Sequence, residues 1–137
     1  MSSLPPDVAA LRDAADVARA RAWAPYSNFP VGAALETDDG RVFAGCNVEN
    51  SSYPAGTCAE RVALGTAIAS GARRFTRVVI TSNQQAPTPP CGICRQALVE
   101  FAPTLEVIAV SPSGHMARWS LAELLPAPFT PASLENV

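Results

Sequence analysis

The chain has 137 residues, 48% of them hydrophobic and only 16% charged, with a formal net charge of −2 at pH 7. That is the size of one domain, poorer in charge than the roughly 25% of an ordinary soluble domain, so part of its outer surface is expected to be covered by other copies. No run of Lys or Arg exceeds Arg73-Arg74, and the longest charge-free stretch, Val78 to Cys94, is broken by prolines; neither a polynucleotide nor a membrane span fits.

A small neutral ligand is the expected partner. The start, "MSSLPPDVAALRD", reads as free of an export signal, so the four cysteines are expected to stay reduced in the cytoplasm. Asp7 is expected to cap a helix running to about Ala24, with Val8, Leu11, Ala15 and Ala18 on one face and Pro25 as its stop. "VGAALETDDGRVFAGCNVEN" reads as a hairpin turning at Asp39-Gly40, a pair suited to positive φ. A second helix is expected from Cys58, its apolar stripe including Val62, Leu64, Ile68 and Ala69 and its end marked by Gly71. "FTRVVITSN" follows as a strand whose VVI centre is expected to be buried on both faces. Gln84 to Pro90 is a proline-rich loop, "CGICRQALVEF" a helix ending before Pro103, and "LEVIAVS" another strand. Trp119 to Leu125 reads as a short helix before an exposed tail. This alternation predicts an α/β fold with a mixed sheet, antiparallel at the hairpin and parallel afterwards, and helices on both faces. A single domain over residues 1–137 is expected, with about 1–6 and 131–137 as loose termini.

Cys91 and Cys94 lie nearly one turn apart at a helix start, so both thiols can face one point. Cys58 opens the other helix. Helices that begin at the carboxyl ends of strands bring their N-termini together, and those N-termini favour thiolates. Three thiolates suit one Zn²⁺ per chain in tetrahedral geometry, leaving a fourth corner for water, the pattern of a catalytic zinc. Glu60, two residues past Cys58, is placed to take a proton from water and pass it to a substrate. Three thiolates leave such a centre net negative and a weaker Lewis acid. Arg61 or Arg95 can offset that charge, and Arg61 is the expected one. Two other readings stand beside this. A bare Cys-x-x-Cys pair suits a dithiol redox protein, and a structural zinc would recruit Cys46 or His115 as its fourth ligand. Cys46, in a strand pattern, reads as a buried inert thiol, and His115 as a surface loop residue.

Cys-Ala-Glu followed by Pro-Cys-x-x-Cys resembles the three-cysteine form of the zinc-deaminase signature. Further, "YSNFPVGAAL", "GCNVEN", "TCAER", "PCGICRQAL" and "LLPAPF" look like the successive blocks of the small homotetrameric cytidine deaminases of nucleoside salvage, from about residue 24 to 130. The resemblance implies a mixed five-stranded sheet in an α/β/α sandwich, zinc on Cys58, Cys91 and Cys94, and Glu60 as the proton shuttle. It also implies Asn47 and Glu49 at the ribose hydroxyls, Phe29 against the base, the backbone of Ala59 at the pyrimidine, and Phe129 reaching a neighbouring subunit's site. Asn47 and Glu49 alternate along a strand pattern, so they face one side. The implied reaction is hydrolytic deamination of cytidine or deoxycytidine. One stretch departs from the family: Tyr53 is kept, but Pro54, Ala55 and Gly56 stand where Gly-Leu-Thr is usual, which touches base or sugar preference. Blasticidin-S deaminases, which also vary before their Cys-Ala-Glu but generally lack the full NVEN, are the runner-up.

Overall fold

A computed structural model gives the structure of the chain and describes residues 4–135. The elements run α1 (Pro6–Arg19), β1 (Val31–Thr37), β2 (Val42–Cys46), a 3₁₀ turn at Tyr53–Ala55, α2 (Ala59–Ala69), β3 (Phe75–Ser82) and α3 (Gly92–Val99). They continue with β4 (Glu106–Val110), β5 (Met116–Ser120), α4 (Leu121–Leu124) and α5 (Pro131–Glu135). The five strands form one sheet in the order β2-β1-β3-β4-β5. Only β3 and β4 pair in parallel; β1–β2, β1–β3 and β4–β5 are antiparallel. The mixed five-stranded sheet with helices on both faces is therefore borne out, with less parallel pairing than the alternation suggested.

The hairpin closes where expected, at Gly40 with φ +87°, and the amide of Gly40 donates to the carbonyl of Thr37. Successive residues of β3 divide between two cores because side chains alternate across a strand. Val78 and Ile80 pack with α2 and α3, while Val79 packs with Val8, Leu11 and Ala15 of α1. The VVI centre is buried on both faces, as its composition implies. On α2 the buried residues are Ala59, Ala63, Leu64 and Ala67, whereas Val62 and Ile68 are half-buried and Ala69 is exposed. Small residues turn inward because α2 lies hard against the sheet. A Cβ built on Gly45 of β2 would sit 2.5 Å from the amide nitrogen of Ala63 and 2.7 Å from the carbonyl oxygen of Ala59.

Three local expectations are corrected. Asp7 does not cap α1: the N-cap is Pro5, no side chain caps it, and the Asp7 carboxylate pairs with Arg77 on β3. The helix stops at Arg19 rather than about Ala24, because Trp23 is drawn away to bond the chain beyond β2. Its amide donates to Asn47 and its carbonyl accepts from Glu49 (3.1 and 2.8 Å). Trp119 lies in a strand, not a helix; α4 begins only after Ser120, whose hydroxyl accepts from the Glu123 amide in a capping box. The tail expected to be loose carries the short, exposed helix α5, and residues 1–3, 136 and 137 of the two expected loose ends lie outside the described residues.

Candidate active site

Two helix starts meet at one edge of the sheet. In the pairing register, Cys46 at the end of β2 and Thr81 near the end of β3 both face Gly32 near the start of β1. The chain leaving β2 begins α2 at N-cap Cys58, and the chain leaving β3 begins α3 at N-cap Cys91. Cys94 stands one turn into α3, so its thiol returns to the level of Cys91.

The three sulfur atoms lie within 4.8 Å of one another, and those of Cys58 and Cys91 are 3.9 Å apart. Tetrahedral zinc with bonds of about 2.3 Å spaces its sulfurs by about 3.8 Å, so the donor set fits that ion in both chemistry and spacing. Among the described residues no Cys46 or His115 ligand joins this cluster. His115 instead bonds Ser113 in the β4–β5 turn (2.9 Å), and Cys46 is half-buried rather than fully enclosed. The closed four-ligand site of a structural zinc is therefore not assembled around them.

The thiols differ in acidity. Hydrogen bonding from Cys94, Arg61 and Cys91 holds the Cys58 thiol down at about 5. Cys94 is pushed up by its hydrogen bond to Cys58, by burial and by the charge of Glu60. Arg61 Nη2 lies 3.5 Å from the sulfur of Cys58. Arg95 turns instead to backbone carbonyls. Glu60 is only 5% exposed, and burial, followed by the negative charge of Cys58, pushes its carboxyl above the usual range. A carboxyl so placed is not a solvated helix-start acid.

Glu60, Ala59, Cys58 and Cys91 open into a cavity of about 320 Å³ whose other walls include Phe29, Asn47 and Glu49. That volume lies near the lower end of small-molecule sites, roughly 300–1,000 Å³. The segment carrying Asn47 and Glu49 continues beyond the end of β2, where only Val48 makes bridges, to Trp23 and Thr57. Both polar side chains grip the chain on either side of Phe29. Asn47 accepts from the Val31 amide (2.9 Å) and donates to the Phe29 carbonyl (2.8 Å). Glu49 accepts from the amides of Tyr26 and Ser27 (2.9 and 3.1 Å) and from the Ser27 hydroxyl. Phe129 is not brought to this cavity by its own chain; it is exposed, and its carbonyl accepts from Gln96 (2.8 Å).

Sequence reasoning missed Ser27, Val31, Ile80, Thr88 and Pro89, which also line the cavity. Pro89 and Thr88 stand just before the Cys91 helix, so their place was signalled by the ligand they precede. Ile80 carried no signal beyond its strand pattern. The departing residues Pro54, Ala55 and Gly56 do not line the 320 Å³ cavity: Tyr53 and Gly56 line two neighbouring cavities that share Glu49 with it, one of which also includes Pro54, Cys58 and Arg61.

Comparison with known proteins agrees with this geometry. Residues 6–110 match the family described as the cytidine and deoxycytidylate deaminase zinc-binding region. A cytidine deaminase of Sporosarcina psychrophila is 41% identical over 85% of this chain and 87% of its own length. One from Halalkalibacterium halodurans is 40% identical over 87% of this chain and 91% of its own. Among solved structures, the cytidine deaminase from Burkholderia pseudomallei is 49% identical and superposes with a TM-score of 0.85, covering 88% of this chain and 98% of the other. Three thiols and an acid spaced for metal and proton chemistry thus sit in a sheet and helix frame shared with these proteins, and the chain belongs to the cytidine and deoxycytidylate deaminase zinc-binding family.

Proposed function

We propose that the protein is a zinc-dependent hydrolase that converts cytidine or deoxycytidine and water to the uracil nucleoside and ammonia. The observation that carries this is a cluster of three thiols, two of which, Cys58 and Cys91, open with the buried Glu60 into one cavity, in a chain whose relatives are named cytidine deaminases. Zinc on Cys58, Cys91 and Cys94 supplies Lewis acidity and lowers the pKa of water.

The rest falls to the chain's own groups. Glu60 takes a proton from water as the oxygen adds to C4 of the cytosine ring, and delivers it to N3. Glu60 then takes the proton of the new C4 hydroxyl and passes it to the amino group, so the C4–N bond breaks, the C4 carbonyl forms and ammonia leaves. Burial raises its carboxyl pKa, which favours taking up a proton in the folded site. Arg61 offsets thiolate charge at Cys58. The N-terminal turn of α2, beginning at Ala59, presents backbone amides to the pyrimidine, and Phe29 packs against its face.

Asn47 uses one of its two N–H groups and one lone pair on the backbone, which leaves a donor for a ribose hydroxyl. Glu49 retains lone pairs for the same diol. Phe129 completes the site of a neighbouring copy in a homotetramer, a role supported by its 59% exposure and by the exposed Trp23, Tyr53 and Ile93. The enzyme works in the cytoplasm, a reading supported by its four unpaired cysteines, which a reducing compartment preserves.

The deciding experiment measures ammonia release from cytidine, deoxycytidine, adenosine and blasticidin S. Turnover of the first two is expected. Turnover confined to blasticidin S moves the chain to that group, and no ammonia from any of them overturns the proposal.

A further inference from the structure

One charged side chain holds the second helix start without lining the cavity. Arg95 is four residues past Cys91, where its Nε donates to the carbonyl of Pro90 (2.8 Å) and its Nη1 donates to the carbonyl of Leu124 (2.9 Å). Pro90 is fully buried and immediately precedes the N-cap Cys91; Leu124 is the last residue of α4.

Both carbonyls need a donor. The oxygen of Pro90 lies beside a buried ring, where an unpaired carbonyl is costly. The oxygen of Leu124 belongs to the last turn of a four-residue helix, whose final carbonyls have no partner within the helix and favour a cation. One planar guanidinium serves both, because its donors sit in a fixed fork.

The consequence falls on Cys91. Its side chain is exposed, so packing does little to aim it. Its sulfur direction depends on the backbone at the N-cap, and a helix entry angle is commonly set by a contact between the residue before the N-cap and the fourth helical residue. Here that contact is a charged hydrogen bond from Arg95 to Pro90. The same side chain ties the turn to α4, and Gln96 beside it ties Phe129. The metal-ligand helix and the C-terminal segment therefore share one anchor.

We propose that Arg95 is a positioning residue of the metal centre, fixing the chain at Pro90–Cys91 against α4 so that ligand geometry and zinc affinity depend on a residue that does not face the thiols. The proposal rests on the reading of Cys58, Cys91 and Cys94 as zinc ligands.

The test compares metal-free wild type, Arg95→Met, Arg95→Lys and a control, Arg73→Met. Arg73 also donates to two carbonyls, those of Ile68 and Ala72, but at the far end of α2. Each protein is titrated with zinc against a chromophoric chelator and with Co²⁺, followed by thiolate-to-cobalt absorption and far-ultraviolet circular dichroism. Zinc affinity of Arg95→Met is expected to fall about 10- to 100-fold with altered cobalt bands and unchanged helix content. Arg95→Lys, whose single ammonium cannot fork to both carbonyls, falls between. Arg73→Met melts earlier with wild-type metal binding.

Wild-type affinity and cobalt spectrum in Arg95→Met overturn the proposal. If that variant does not fold, Arg95→Lys decides in its place, and unchanged affinity there overturns it equally. A wild-type chain that takes up no metal defeats the zinc reading itself and the proposal with it, and that failure shows in the parent protein rather than in the variant.

Discussion

Glu60 and Cys58 show how two residues apart in sequence acquire opposite tendencies. Burial pushes the Glu60 carboxyl up from its ordinary 4.5, while donors around Cys58 draw that thiol down to about 5. For Glu60 the raised folded value means that its contribution to stability is present below pH 4.5 and is lost as pH rises through the folded value. Glu60→Gln is therefore expected to stabilise the metal-free protein at pH 8 by about 1 kcal/mol or more, with little gain at pH 4, read by urea denaturation. The same variant should lose about 10²- to 10⁴-fold in turnover while still binding zinc. A variant no more stable at pH 8, or one that turns over normally, contradicts the account. In the metal-free protein Cys58 is expected to react with iodoacetamide at a rate nearly constant from pH 6 to 8, since it is already thiolate. Zinc should abolish that labelling, and peptide mass spectrometry locates it. Labelling that climbs steeply across this range shows that the thiol is not held low.

Among the elements, α2 packs tightly on the sheet, because its backbone lies against Gly45 with no room for a methyl group. Gly45→Ala is expected to cost about 1–3 kcal/mol and to weaken zinc binding, since moving α2 moves Cys58 and Glu60 together. Gly65 on the same helix has nothing within 4 Å of a built Cβ and is exposed, so Gly65→Ala should stabilise by about 0.5–1 kcal/mol. Thermal denaturation of the pair separates crowding from propensity; destabilisation by both would show that α2 does not sit as described. The hairpin segments add a second lesson at this scale. Asn47 and Glu49 hold the Tyr26–Val31 chain that carries Phe29, so they build the pocket wall as well as facing into the pocket.

Across the whole molecule, low charge and exposed aromatic residues argue for assembly. The wild-type protein is expected to sediment as four copies. Because Phe129 lies away from its own cavity, Glu60→Ala and Phe129→Ala chains, each impaired alone, should regain activity when unfolded and refolded together. Mixed assemblies then contain sites with an intact glutamate in one chain and an intact aromatic from the next. No recovery on mixing would place Phe129 outside the neighbouring site.

Much of this was legible before any coordinates. The spacing of Cys91 and Cys94, the N-cap place of Cys58, the turn at Gly40, the stop at Gly71 and the double burial of Val78–Ile80 all follow from local rules, because caps, turns and strand alternation depend on residues a few positions apart. Arg61, which the sequence favours over Arg95 beside the thiols, has its Nη2 3.5 Å from the sulfur of Cys58. What only the tertiary structure decided is what depends on distant partners. Trp23 leaves the α1 pattern because Asn47 and Glu49 offer it backbone bonds, and Asp7 leaves its capping task for Arg77, seventy residues away. Trp119 joins β4 as a strand although its local sequence reads as helix. The acidity of Glu60 and Cys58, the task of Arg95 and the cavity itself arise only when two helix starts are desolvated together, a cost and a gain that no short stretch of chain contains.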